Sequence, residues 1–327
     1  MQKKLIKIIS KVILPVLLGI FILYLIYREF DFKLFIVYIS EGIDWWFMLF
    51  SFFFGIMAQV FRAWRWKILL KPIGAYPKTS SCTDAIFISY AASLAVPRIG
   101  EVSRCGVIKR TDGIPFAKSL GTVITERIVD MLTIAVISFI TLVTQMPVFV
   151  RYIEQTGAKI PSLSHLITSP WFYVGVFSFI GILILMYHLR KTIIFYEKVK
   201  GFIINISEGI YSLRKIQGIW KFIFYSLAIW VCYFLHFYIT FFCFNFTEHL
   251  TLEAGLVMFV VGTFAVLVPT PNGAGAWHFA IISALMMYGI DADNSSLFAL
   301  VVHTFQTFLL VLLGVFAYAR LHIRNQN

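Results

Sequence analysis

Charge is scarce in this chain. Only 13% of its 327 residues are Asp, Glu, Lys or Arg, against about 25% in a typical soluble domain. Hydrophobic residues make up 60%. So little charge cannot cover the surface of a water-soluble fold, and an apolar surplus of this size needs lipid outside it. Acids are scarcer than bases, 16 against 28, which leaves a net charge of +12. In a soluble protein that excess would suit nucleic acid. Here the bases cluster at the ends of apolar stretches, as membrane proteins place them, so no nucleic-acid partner is expected. Cysteine is also sparse. Cys82, Cys105, Cys232 and Cys243 stand apart with none of the close spacing of a metal site, and no metal or cofactor is expected. Walker loop, dinucleotide fingerprint, HExxH pattern and GxSxG elbow are all missing, leaving no visible means of using ATP. Nor does a small-residue cleavage pattern come after the opening Lys3, Lys4, Lys7 and Lys11, so an uncleaved first transmembrane helix is expected.

What the chain does contain is a series of apolar runs. A full span needs about 20 mainly apolar residues. Runs at 11–27, 45–61, 118–145, 171–188, 221–243 and 296–318 meet this closely enough to be read as spans. A shorter run, 82–96, ends at Pro97, and 254–290 is broken by Pro269, Pro271, Gly273 and Gly275. The segments 62–78, 98–118 and 189–221, with both termini, are basic, whereas 28–44, 245–253 and 291–295 are acidic. The positive-inside rule places the first group in the cytoplasm and the second outside. Because 62–78 and 98–118 are both basic, 79–97 must enter and return on one side. By the same reasoning, 254–290 enters from outside and turns at its Pro/Gly break.

The expected fold is therefore an all-α polytopic membrane protein. It has about six full spans and two re-entrant broken-helix segments of opposite orientation, which suggests an inverted repeat. The whole of 1–327 is read as a single integral membrane domain, with Trp45 and Trp46 as interfacial anchors and 189–220 as an amphipathic cytoplasmic helix.

Three groups of residues carry candidate chemistry. Glu126, Arg127 and Asp130 lie about 10 Å into an apolar helix. Glu126 and Asp130 share a face and Arg127 can meet Asp130. Ionisable groups in a span face the bundle interior or a wet cavity, serving either as a helix lock or as a substrate site. Pro97, Arg98, Gly100 and Glu101 break the short apolar run, with Arg104 two turns on. Arg98 is placed to hold a phosphate or carboxylate or to pair with Glu126. In PTPNGAGAWH (269–278), Thr270 and Asn272 are candidate caps, and the second half-helix offers free N–H groups to an anion near His278. Arg62, Arg65 and Lys67, interleaved with Trp64 and Trp66, read equally as a headgroup site or an interfacial anchor. His236, His303, Thr304 and Gln306 read as interhelical hydrogen-bonders.

Taken in order, PRIGE at 97–101, ER-x-x-D at 126–130 and PTPNGAG at 269–275 resemble the flippase-like membrane domain of bacterial lysylphosphatidylglycerol synthases, which also occurs alone. The resemblance covers nearly the whole chain. Asn272 stands where that family usually has a glycine, and asparagine tolerates the left-handed backbone of such a turn. His278 stands where the family often has a glutamate, so neither its substrate nor any proton coupling carries over at that position. The resemblance implies movement of a polar or charged phospholipid, aminoacylated or lipid-linked, between leaflets of the inner membrane by a transporter rather than an enzyme. Arg98, Glu101, Arg104, Glu126, Arg127, Asp130, Asn272 and His278 would bind the substrate, while Pro97, Gly100, Pro269, Pro271, Gly273 and Gly275 break the helices. Partners would be anionic or amino-acid-modified lipids and a separately encoded lipid-modifying enzyme. No soluble synthase domain is expected. Two other functions fit the residues: a scaffold or regulator of such an enzyme, and a membrane enzyme using His278 with Glu126 or Glu101 as acid and base on a lipid-linked phosphate.

Overall fold

The computed structural model describes residues 14–28, 42–96, 99–156, 216 and 218–324. The chain divides into two compact units, Met1–Thr144 with Lys215–Asn327, and Gln145–Arg214. The described residues of the second unit are the end of one helix. All other described residues belong to the first. The expected span 171–188 and the amphipathic helix 189–220 lie outside the described residues, apart from the last positions of the latter.

Nine α-helices run through the described residues: α1 (Leu14–Tyr27), α2 (Trp45–Leu70), α3 (Thr79–Ala95), α4 (Ile99–Asp112), α5 (Phe116–Thr156), α6 (Ile219–Tyr238), α7 (Leu252–Ala265), α8 (Ala276–Met287) and α9 (Ala292–Arg324). Four stretches are long and apolar enough to cross a membrane: Trp45–Ile73, Phe116–Val148, Ile219–Cys243 and Ala292–Arg324. The expectation of six full spans is thus met by four among the described residues. Of the first expected span, 11–27, the described part is the apolar helix α1, and residues 11–13 lie outside the described residues. Local chemistry starts several elements. Asp44 accepts from the Trp46 N–H at 2.9 Å to cap α2, Thr251 caps α7, and Asp291 accepts from the Asn294 N–H ahead of α9.

Two helical hairpins organise the interior. In the first, α3 and α4 run antiparallel. Their ends meet where the Lys78 N–H donates to Asp112 Oδ1 at 3.0 Å. Burial pushes the Asp112 carboxyl up, but hydrogen bonds from Thr111, the Lys78 amide and Ser81 more than offset it, so its pKa lies below the usual carboxylate value. Nearer the tip, Gly100 lies so close to Ser89 and Ser93 that any Cβ would collide with the Ser89 carbonyl. The hairpin therefore extends beyond the expected segment 79–97. Its return limb is the charged helix α4, read from sequence as a cytoplasmic connection, and Gly100 permits close helix packing rather than breaking a helix. In the second hairpin, α7 and α8 fold against each other, with Gly262 beside Trp277 and Ile281. At about 1.5 Å per residue, no limb of either hairpin reaches the roughly 30 Å of a bilayer core.

Helix α9 aligns the two hairpins. Its start packs with the base of the second, where Leu297 and Phe298 join Phe241, Phe244, Ile281 and Leu285 in the hydrophobic core. Its middle, His303 and Thr307, bonds to the second tip at Asn272. Gly314 abuts Ala91, and the far end reaches the base of the first hairpin. There Arg320 pairs with Asp84, and Arg324 donates to Ser80 and Ser81. The second tip, Pro271–Gly273, also packs against α3. The hairpins thus approach from opposite ends of α9. Asp84, wholly buried, is a charged residue masked in the sequence by the apolar run 82–96 around it.

Candidate functional site

The charged cluster begins with helix spacing. Arg62 and Arg65 are one turn apart on α2, and Glu126 and Asp130 are one turn apart on α5, so each pair presents one face. The faces meet. Arg62 Nη1 lies 2.7 Å from Glu126 Oε1 and 2.8 Å from Asp130 Oδ2. Arg65 Nη2 lies 3.1 Å from Glu126 Oε1 and 2.7 Å from Asp130 Oδ1. From α4, Arg104 Nη1 reaches Glu126 Oε2 at 2.9 Å. All five side chains are at most 9% exposed. Aromatic rings cover the guanidiniums. Trp66 lies 4.9 Å from Arg104 and bonds Thr122 on α5. Tyr90 and Tyr233, their hydroxyls 2.9 Å apart, flank Arg62. Beside the cluster, Arg127 Nε pairs with Glu101 Oε1 at 2.8 Å, the two about 40% exposed.

The geometry corrects several expectations. Residues 62–70 continue α2 rather than forming a loop, and Arg62 and Arg65, weak candidates from sequence, are central partners of the α5 acids. Glu126 and Asp130 do share a face. Arg127 turns to Glu101, and its approach to Asp130 is only 3.9 Å. Pro97 and Arg98 lie outside the described residues, and with them the expected Arg98–Glu126 pair. Glu101, Arg104, Glu126, Arg127 and Asp130 come together; Asn272 and His278 belong to a second group.

That second group is the tip between α7 and α8. Asn272, Gly273 and Gly275 have φ of 50°, 72° and 84°, so asparagine does take the left-handed turn. The expected caps differ. Asn272 Nδ2 donates across to Thr307 Oγ1 at 2.8 Å, and the Thr270 hydroxyl makes no hydrogen bond among the described residues. Instead His278 Nδ1 accepts from the Gly275 N–H at 3.3 Å. His278 thereby occupies a helix-end donor that had been assigned to an anion. Its ring lies 4.5 Å from that of His303, which contacts the Asn272 carbonyl at 3.1 Å. His236 and Gln306 form interhelical bonds, to the Ser51 carbonyl and from Gln306 to the His236 carbonyl. Thr307, one turn on from His303, rather than the exposed Thr304, reaches the tip. The four cysteines are free and buried, as isolated apolar side chains. No group of three or more His, Cys, Asp or Glu among the described residues could hold a metal.

Fold and cluster together define a multi-pass α-helical membrane protein with an internal ion-pair network. The chain matches the family described as the Lysylphosphatidylglycerol synthase TM region over residues 12–314, and it belongs to that family. The resemblance read from 97–101, 126–130 and 269–275 is thereby borne out. The chain is also similar to Glycosyltransferase AglD of Haloferax volcanii, at 33% identity over 89 residues, covering 27% of this chain. That match spans 14% of the relative's length. No solved structure matches.

Proposed function

We propose that the chain works as a single membrane domain that moves a polar or charged phospholipid between leaflets. The observation that carries this is the make-up of α5. Its inner face holds Glu126 and Asp130 in the buried network, while Met131, Leu132, Val136, Phe139 and Ile140 are exposed. A helix with a charged inner face and an apolar outer one can hold a headgroup on one side and leave acyl chains in lipid on the other. The two hairpins act as re-entrant segments entering from opposite faces, an arrangement that fits an inverted repeat and exposes broken backbone only within protein. Both termini lie in the cytoplasm, and the protein resides in the inner membrane. The substrate-binding roles of Glu101, Arg104, Glu126, Arg127 and Asp130 belong to this reading, as do those of Arg98, Asn272 and His278.

The test is leaflet redistribution of labelled phospholipids in proteoliposomes. Redistribution faster than in protein-free vesicles is expected. Equal rates with and without protein, across anionic, zwitterionic and aminoacylated lipids, would sink the reading.

A second reading, a membrane scaffold for a separate lipid-modifying enzyme, is favoured by the mutual pairing of the buried cluster, as in a lock. The family takes its name from a synthase and the relative is named a glycosyltransferase, which suits a domain that accompanies enzymes. It expects no redistribution, but co-purification with such an enzyme.

A further inference from the structure

The buried cluster contains more positive charge than negative. Three guanidiniums, of Arg62, Arg65 and Arg104, face the two carboxylates of Glu126 and Asp130, an excess of one positive charge. An uncompensated charge in a low-dielectric interior is costly, and such a site recruits a counter-charge. The excess can be assigned to one residue. Arg62 and Arg65 each touch both carboxylates. Arg104 reaches only Glu126, through Nη1. Its Nε and Nη2 find no hydrogen-bond acceptor among the described residues, although the side chain is 1% exposed. Nε and Nη2 form one edge of the guanidinium plane, the edge that binds two oxygens of a single anion in parallel.

The surroundings supply a way in. No other described helix packs closely along the backbone of α5. The gap is spanned by long side chains: the arginines, and Trp66 bonded to Thr122. Between α4 and α5, the Glu101–Arg127 pair is partly exposed.

We propose that the free edge of Arg104, in the seam between α4 and α5, seats one phosphate monoanion, a lipid phosphodiester or dihydrogen phosphate. A single negative charge on two equivalent oxygens matches both the excess charge and the geometry. The chemistry is that of phosphate, from a lipid headgroup or from solution. Its assignment to a headgroup rests on the transport reading above.

Native mass spectrometry of the purified protein, with retained lipid as the readout, tests this. The probes are phosphatidylglycerol, an uncharged galactosyl diacylglycerol, and inorganic phosphate. Wild type is expected to retain phosphatidylglycerol at least tenfold over the uncharged lipid. Arg104→Gln should abolish that preference, and Arg104→Lys, which keeps the charge but loses the fork, should keep part of it. Asp130→Asn raises the excess to two charges and should shift preference toward phosphatidic acid, added as a fourth probe; this arm decides the matter if Arg104→Gln does not fold, and an unchanged preference there overturns the proposal. Inorganic phosphate that raises the unfolding temperature of wild type, but not of Arg104→Gln, without phosphatidylglycerol retention would assign the site to free phosphate. Equal retention of charged and uncharged lipid by wild type, with no phosphate effect, overturns the proposal. So does unchanged preference in a folded Arg104→Gln. Leaflet redistribution on the same preparations separates the two claims. Transport without Arg104-dependent selection overturns the site; Arg104-dependent retention without transport overturns the transporter reading and leaves the site standing.

Discussion

Glu126 has three arginine partners, and its environment is very different from that of Glu101 on the neighbouring helix α4. Removing one member of a buried ion pair strands its partners in low dielectric, at a cost of about 3–5 kcal/mol, whereas an exposed pair contributes about 0–1 kcal/mol. Glu126→Gln would leave Asp130 paired with Arg62 and Arg65 and strand Arg104 with no carboxylate partner. It is expected to lower stability by several kcal/mol on that scale, while Glu101→Gln, at a side chain 38% exposed, should change it by less than about 1 kcal/mol. Thermal unfolding of both variants in the same detergent checks this, and similar losses would mean the cluster is not the buried anchor it looks to be. Half of this anchor was legible beforehand. Two acids four apart in an apolar helix announce an internal site. Their partners were not legible, because Arg62, Arg65 and Arg104 sit among lysines at the ends of apolar runs, where a guanidinium facing water and one facing inward have the same composition around them. The available signal was spacing: Arg62 and Arg65 repeat with Ala58 and Leu69 on one helical face that is otherwise apolar. At His278 the local chemistry differs from the sequence expectation: the helix start reads as a free donor for an anion, and the His278 ring itself accepts from the Gly275 N–H.

At the scale of elements, hairpin geometry depends on contacts that leave no room for a side chain. Gly100 faces the Ser89 carbonyl, and Gly314 faces Ala91. Gly106, on the same helix as Gly100, faces open space. Alanine at Gly100 or Gly314 must push helices apart, and overpacking of this kind costs about 1–3 kcal/mol. Alanine at Gly106 should instead stabilise α4 by about 0.5–1 kcal/mol through helix propensity. Opposite signs for Gly100→Ala and Gly106→Ala in unfolding temperature are expected; the same sign would show that α3 and α4 are not packed at the Gly100 contact. The break at 269–275 was legible, since two prolines and two glycines leave few alternatives. The helix α4 is hidden in the sequence, because its charges read as a loop. A helix with one buried edge, Arg104, Cys105 and Ile108, and a solvated remainder looks polar on average.

For the whole molecule, Arg62, Arg65 and Arg104 count in the sequence as cytoplasmic charges, and all three are buried. The asymmetry survives without them. Lys78, Lys109, Arg110 and Lys118 are exposed around the base of the first hairpin. Glu248, Glu253, Asp291 and Asp293 are exposed around the base of the second. These ends are separated by the length of α9, whose 33 residues span about 50 Å, more than the roughly 30 Å of a bilayer core. One end therefore carries lysine and arginine and the other carries acid, as expected for cytoplasmic and external faces. Single cysteines placed at Lys78, Lys109, Glu253 and Asp293 can report this directly, since the four native cysteines are all buried. A membrane-impermeant maleimide added outside intact cells should label the Glu253 and Asp293 positions and spare Lys78 and Lys109, which should react only after the membrane is opened. Labelling of Lys78 and Lys109 from opposite sides would mean that α3 crosses alone and that the first hairpin is not re-entrant. Labelling of all four from one side would remove the opposed hairpins that belong to the transport reading.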